Sequence, residues 1–144
     1  MSTALAAFGT LLQMGDGASP LEAFTTIGEL GDIAGPALAT DTEDATVHTS
    51  PGGYEEVVAT IKRTGEITFP VHYVPTDATH NPTTGLLAAW AAKTLKHWKL
   101  IFPNAGATTW TFSAYVTGFA PKAPVAGKLT ADVSLKITGT PTLA

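Results

Sequence analysis

The sequence predicts a mainly β domain, two packed antiparallel sheets forming a sandwich or barrel with one flanking α-helix. Three observations predict it. Apolar and polar residues alternate through the second half of the chain with the period of two that a half-buried strand requires. Threonine is the commonest residue, 24 of 144, and with valine and the aromatics it favours a pleated surface over a helix. A helical pattern occurs in one place, after Asn81-Pro82.

Met1 to Pro20 is rich in Ala, Gly and Ser with no sustained period, and Gly15-Asp16-Gly17 before Ala18-Ser19-Pro20 reads as a turn. Residues 1–20 are therefore expected to be a flexible N-terminal arm, and residues 21–144 the β domain. Phe24 to Ile27 makes a short strand, and Gly28, Gly31, Gly35 and Pro36 keep any element before Leu38 brief. Thr40 to Thr49 is a further candidate strand, carrying Asp41, Glu43 and Asp44. In the next, Ile67, Phe69, Val71 and Tyr73 share a face, and Pro70, which has no amide hydrogen for a ladder, puts that strand at an edge or a bulge.

The helix is expected to open with Asn81 as N-cap and Pro82 at the first helical position. It carries Leu86, Leu87, Trp90 and Leu95 on one side and ends near Lys93, Lys96 and His97, where cations favour the helix dipole. Trp98, Leu100 and Phe102 then share a strand face, Pro103-Asn104-Ala105-Gly106-Ala107 supplies a turn, and Trp110, Phe112, Ala114 and Val116 share the returning face. This is an antiparallel hairpin. Leu129, Ala131, Val133, Leu135 and Ile137 alternate strictly with polar residues from Lys128 to Thr138, the most regular pattern in the chain. The expected core includes Phe69, Trp90, Trp98, Leu100, Trp110, Phe112, Val133 and Leu135.

A length of 144 residues suits one domain. Charged residues are 14%, against roughly a quarter in an average globular protein, while 44% are apolar, so the chain is ordered. A net charge of -4 with Arg63 as the sole arginine argues against gripping a nucleic-acid backbone, which needs several cations to displace counterions. Without cysteine there is no disulfide, thiolate metal site or cysteine nucleophile. Met1 to Met14 has no Lys or Arg, so no secretion leader is expected, and the longest apolar run, Leu86 to Ala92, falls far short of the ~20 residues that cross a bilayer. No membrane partner is expected.

No catalytic pattern is present: no nucleophile elbow, H-E-x-x-H, P-loop or dinucleotide fingerprint. His48, His72, His80 and His97 are scattered. His72, Asp77 and His80 are the one set that could converge on a metal, and a polar strand face followed by a turn explains them at least as well. Glu55 and Glu56 are sequence neighbours, which on a strand point to opposite faces and form no catalytic pair. Asp41, Glu43 and Asp44 lack the Gly and distant Glu of a calcium loop. The expectation is a protein that is not an enzyme, with no catalytic residues, metal or cofactor.

Two features remain. Ser50-Pro51-Gly52-Gly53-Tyr54-Glu55-Glu56 lies between β-rich regions and reads as a turn anchored by Tyr54, or as an interaction loop. Charge is also split along the chain: up to Glu66 ten carboxylates face only Lys62 and Arg63, and beyond it six lysines face only Asp77 and Asp132. Such a split serves internal ion pairs, or a head-to-tail contact between copies.

The run Ser50 to Glu56, followed by Gly65-Glu66-Ile67-Thr68-Phe69 and by Tyr73 through Pro75 and Asp77, resembles the central block of major tail tube proteins of long-tailed, non-contractile bacteriophages. Upstream, Phe24-Thr25-Thr26-Ile27-Gly28-Glu29 with Gly35-Pro36 is similar to that family's opening strand and turn. Downstream, Trp98 to Pro103, Phe112 to Phe119 and Leu135 to Pro141 are similar to its last three strands. The order and spacing of these segments carry the resemblance, from about Phe24 onward.

The resemblance implies a fold shared with contractile-tail and type VI secretion tube proteins. It implies subunits that form hexameric rings and stack into a hollow tube, assembled around a tape-measure protein and closed by a tail-terminator protein. DNA passes through the bore into the host without specific binding, and the subunit belongs to the virion tail after a period in the host cytoplasm. Ser50, Pro51, Gly52, Gly53, Tyr54, Glu55 and Glu56 become the inter-subunit, ring-stacking loop. The alternative is a β-sandwich binding module, an adhesin or carbohydrate-binding domain exposing Tyr54, Trp98 or Trp110.

Overall fold

The strictest alternation in the chain becomes an inner strand of its main sheet, paired on both sides. The computed structural model describes residues 2–143 and has, among them, strands β1 (Leu11–Gly15), β2 (Phe24–Thr26), β3 (Ala39–Asp44), β4 (Val57–Arg63), β5 (Glu66–His72), β6 (Lys96–Ile101), β7 (Thr109–Lys122) and β8 (Thr130–Leu143). Helix α1 (Leu86–Ala92) lies between β5 and β6. Six strands form one sheet in the order β2-β1-β6-β7-β8-β5, and β3 with β4 forms a second, two-stranded sheet; every pairing is antiparallel. The fold is mainly β, with two antiparallel sheets and one helix, as the sequence predicts.

β8 pairs on both flanks, with β7 from Trp110↔Leu143 to Lys122↔Thr130 and with β5 from Glu66↔Lys136 to His72↔Thr130. Its inward residues Ala131, Val133, Leu135 and Ile137 are buried. They join Ile67, Phe69 and Val71 of β5, Trp98 and Leu100 of β6, and Phe112, Ala114 and Val116 of β7 in one core. Leu86 and Ala89 of α1, with Ile27 from the segment after β2, cover the same face. Each fully buried Leu, Val or Phe contributes about 1.5–3 kcal/mol through lost contact with water, so this face carries most of the fold's stability.

β7 carries register shifts between Thr111 and Ser113 and between Val116 and Gly118. The second reverses the inward parity: Val116 points to the core, and the next residue there is Phe119, which packs edge-on against Tyr73 at 5.2 Å. Local alternation therefore stops at Val116 although the strand continues. Pro70 of β5 pairs with Asp132 of β8; β5 is the sheet's edge, and among the described residues its outer side is bridged at Leu30↔Val71 and Ala34↔Thr68 alone.

Three expectations are corrected. Residues 11–15, placed in a flexible arm, form a strand between β2 and β6, with Leu12 and Met14 in the core. This strand is five residues long, and its burial comes from partners 9 to 90 positions away in sequence. The helix is confined to Leu86–Ala92 with Gly85 as its N-cap. Asn81 does accept the Thr83 and Thr84 amides at 3.1 and 2.8 Å, but this closes a turn rather than the helix. A Cβ on Gly85 would meet the His80 amide nitrogen at 2.5 Å, so the chain crosses itself there before the helix starts. At the other end Lys93 turns left-handed (φ 53°), and Lys96 and His97 belong to β6. Trp90, placed in the core, is 53% exposed, because a seven-residue helix turns only Leu86 and Ala89 fully inward.

The strands are staggered. β6 begins at Lys96↔Ala114, so among the described residues β7 from Tyr115 to Lys122 has no strand on that side. β4 enters β5 through Thr64 and Gly65, so the β3–β4 hairpin leaves the sheet at the Glu66 end, opposite the tip where β7 turns into β8.

Candidate functional site

β3 and β4 form a hairpin in which no side chain is buried. On β4 the period of two puts Val57, Ala59 and Ile61 on one face and Val58 on the other. Val57, Val58 and Ile61 are all more than half exposed. Scattered exposed apolar residues are ordinary; here Val57 and Ile61 share one face of a seven-residue strand with Ala59 between them.

The loop Ser50 to Glu56 closes this hairpin and is internally fastened. Ser50, at 8% exposure, accepts the Val47 amide at 2.9 Å and donates its hydroxyl to Glu56 Oε2 at 2.7 Å. The Glu56 amide donates to Thr46 Oγ1 at 2.9 Å, and the Ala45 amide to the Glu56 carbonyl at 2.8 Å. Pro51–Gly53 forms a single 3-10 turn in which Gly52 and Gly53 take φ of 66° and 72°, the left-handed region that disfavours side chains. Tyr54 follows, 78% exposed, so its ring does not anchor the loop in the core. The structure brings Ser50 and Glu56 together, and leaves Pro51, Gly52, Gly53, Tyr54 and Glu55 on the outer surface.

Five carboxylates lie on the hairpin and its loop: Asp41, Glu43, Asp44, Glu55 and Glu56. Asp41 is bound by Arg63 Nε and Nη2, both at 2.8 Å, and this guanidinium holds the Asp41 carboxyl below its ordinary range. Asp44 accepts the Thr46 amide at 2.9 Å, and hydrogen bonds from Thr46 hold its carboxyl low as well. Among the described residues, Glu43 and Glu55 have no hydrogen-bond or ion-pair partner. The acids are thus spent on local geometry or left facing outward, with none aimed into a shared site.

His72, Asp77 and His80 do not converge. His80 is fully buried between the Val74 amide (3.2 Å to Nδ1) and the Gly28 carbonyl (2.8 Å to Nε2), an arrangement that assigns the proton to Nε2. Asp77 Oδ1 accepts the amide and hydroxyl of Thr79 at 2.7 and 2.5 Å; these bonds, the hydroxyl's first, hold the carboxyl below its usual range. His72 lies on the exposed side of β5, 3.4 Å from Glu29. These contacts tie the Gly28 and Thr79 segments together beneath α1.

The aromatic residues that a binding module would display are placed as follows. Trp98 is fully buried and donates its ring N–H to the Ala114 carbonyl at 3.2 Å; Trp110 is half-buried, edge-on to Phe102 at 5.3 Å. Of the named core residues, Phe69, Leu100, Phe112, Val133 and Leu135 are buried with Trp98, while Trp110 packs at the core margin and Trp90 lies outside it. The sequence reading missed the apolar face of β4, although Val57-x-Ala59-x-Ile61 carries the strand period, and it missed Trp90 as a surface residue.

A family profile described as "Lambda phage tail tube protein, TTP" matches residues 12–144. Solved structures share the fold. A chain from the virion of a native gene transfer agent particle is 14% identical, with a TM-score of 0.78 over 98% of this chain and 99% of its own. One from the tail of an empty gene transfer agent particle with C6 symmetry is 15% identical, with a TM-score of 0.73 over 92% and 95%. One from the extended sheath-tube complex of the extracellular contractile injection system PVC is 13% identical, with a TM-score of 0.67 over 100% and 95%. No curated protein sequence matches.

Proposed function

The chain belongs to the lambda phage tail tube protein family, a family of structural tube subunits, and on that footing we propose that its copies close into hexameric rings that stack into a hollow, non-contractile tail tube. The observation that carries this reading is the β3–β4 hairpin: its apolar and acidic side chains all face solvent in the single subunit. In a stack of rings they gain a partner. Six copies per ring is supported by the C6 symmetry of the gene transfer agent tail that shares the fold.

The tube grows around a tape-measure protein, is closed by a terminator protein, and lets DNA pass from the virion to the host without gripping it. A low charge fraction suits a subunit whose surface becomes interface. Unpaired sheet edges suit it too, since edges left open in one subunit are paired in a closed ring. Residues 2–10, exposed apart from a half-exposed Thr10, act as an arm that orders against a neighbour. The subunit works in the virion tail and waits in the host cytoplasm before assembly.

Negative-stain electron microscopy of the concentrated protein, alone and seeded with tail tips, tests the reading. Rings or tubes with a central hole are expected. A monomer that persists under both conditions, read by analytical ultracentrifugation, overturns it.

A further inference from the structure

We propose that the groove between α1 and the unpaired stretch of β7 is the acceptor for the β3–β4 hairpin of a second copy of this chain; the proposal rests on the tube-subunit reading and names the two surfaces that meet. The groove has a volume of about 320 Å³ and is lined by Trp90, Ala91, Lys93, Tyr115 and Val116. Its floor is where β7 runs on without β6, from Tyr115 onward. Its wall is Trp90, 53% exposed, with Tyr115 at 40% across from it. A large aromatic held half in solvent beside an unpaired strand is the residue type and setting that anchors protein interfaces.

Three features point to the hairpin as occupant. The first is chemistry: the hairpin offers Val57, Ala59 and Ile61 along one face, an apolar stripe that matches the apolar wall of the groove. The second is charge. Lys93 at the rim, like nearby Lys96, is in no ion pair among the described residues, and Glu43 and Glu55 on the hairpin are equally unpaired. The third is position. The hairpin leaves the sheet at Glu66, which shares a register line with Lys136 and Tyr115, whereas the open part of β7 runs from Tyr115 away from the hairpin to the β7–β8 tip. The groove itself, at Tyr115 and Val116, stands level with the point where the hairpin leaves. Donor and acceptor are two different surfaces of one subunit, and a contact between different surfaces is head-to-tail, the kind that propagates.

The test is a double-mutant cycle on the critical concentration for tube formation, measured by pelleting and microscopy, with Ile61→Ala on the hairpin and Trp90→Ala in the groove. Each single change is expected to raise the critical concentration roughly tenfold, the size of a hot-spot truncation. The double variant is expected to be no worse than the more severe single one, because each removes the same contact. Effects that multiply, to about a hundredfold, overturn the proposal, as does either single variant assembling like the native chain. Near-UV circular dichroism checks that the monomers remain native, and Lys93→Ala replaces Trp90→Ala in the same cycle if that variant does not. A native chain that forms no tube at all overturns the tube-subunit reading, and this contact with it. A native chain that forms tubes while the cycle is additive removes the groove contact alone.

Discussion

Gly53 is a residue at which a substitution is expected to bear on assembly and leave folding alone. Its φ of 72° lies in the left-handed region, where a side chain costs about 1–2 kcal/mol, yet no atom lies within 4 Å of an added Cβ. Gly53→Val is therefore expected to leave the monomer folded, with a melting temperature a few degrees lower, while ring stacking fails; an unfolded monomer would refute this. Asp77 shows the reverse, a residue of the fold alone. Its carboxyl titrates below the ordinary 3.8 because Thr79 donates to it twice, so the unfolded chain takes up that proton at a higher pH than the folded one. Its contribution to stability is whole above about pH 4 and is lost as pH falls through the lowered folded value. The melting temperature of Asp77→Asn should accordingly fall less steeply than that of the native chain between about pH 5 and 2. Equal slopes would show that Asp77 is not part of the acid response. The part Asp77 plays was not legible in the sequence, where Asp77 and His80 read only as a polar strand face followed by a turn until their partners are seen.

At the scale of elements, legibility followed how local the cause of each element is. β8 burdens one face with Ala131, Val133, Leu135 and Ile137, so its pattern is visible in eleven consecutive residues and its boundaries alone shifted. β1 has five residues and is a strand because β2 and β6 flank it, a cause no local window contains. The helix was overextended for a related reason: Asn81 offers good capping chemistry, and the close passage at Gly85 overrides it. These assignments separate two tryptophans that look alike in sequence. Trp98→Ala, in the sheet's centre, is expected to cost about 3–5 kcal/mol in denaturant unfolding, whereas Trp90→Ala on the exposed side of α1 should stay within about 0.5 kcal/mol. A large loss at Trp90 would return it to the core.

For the whole molecule, part of the charge split is spatial: five carboxylates lie on the hairpin and its loop, while Lys93, in no ion pair among the described residues, lines the groove. If stacking draws on that separation, tube growth followed by light scattering should slow several-fold as salt screens it, the Debye length shrinking from about 10 Å at 0.1 M to about 3 Å at 1 M. Growth indifferent to salt would leave the apolar contacts as the sole drive. Composition, alternation and segment order determined by themselves that the chain is mainly β, that Pro70 marks an edge or a bulge, that Ser50 to Glu56 forms a loop, and which family it resembles. These properties are written in neighbouring residues, because strand periodicity and turn chemistry act over a few positions. Tertiary structure alone decided that residues 11–15 complete the sheet, that Trp90 faces water, and that β7 outruns β6 beside it. Burial and edge exposure depend on which distant segments arrive alongside, and no stretch of sequence carries its own neighbours.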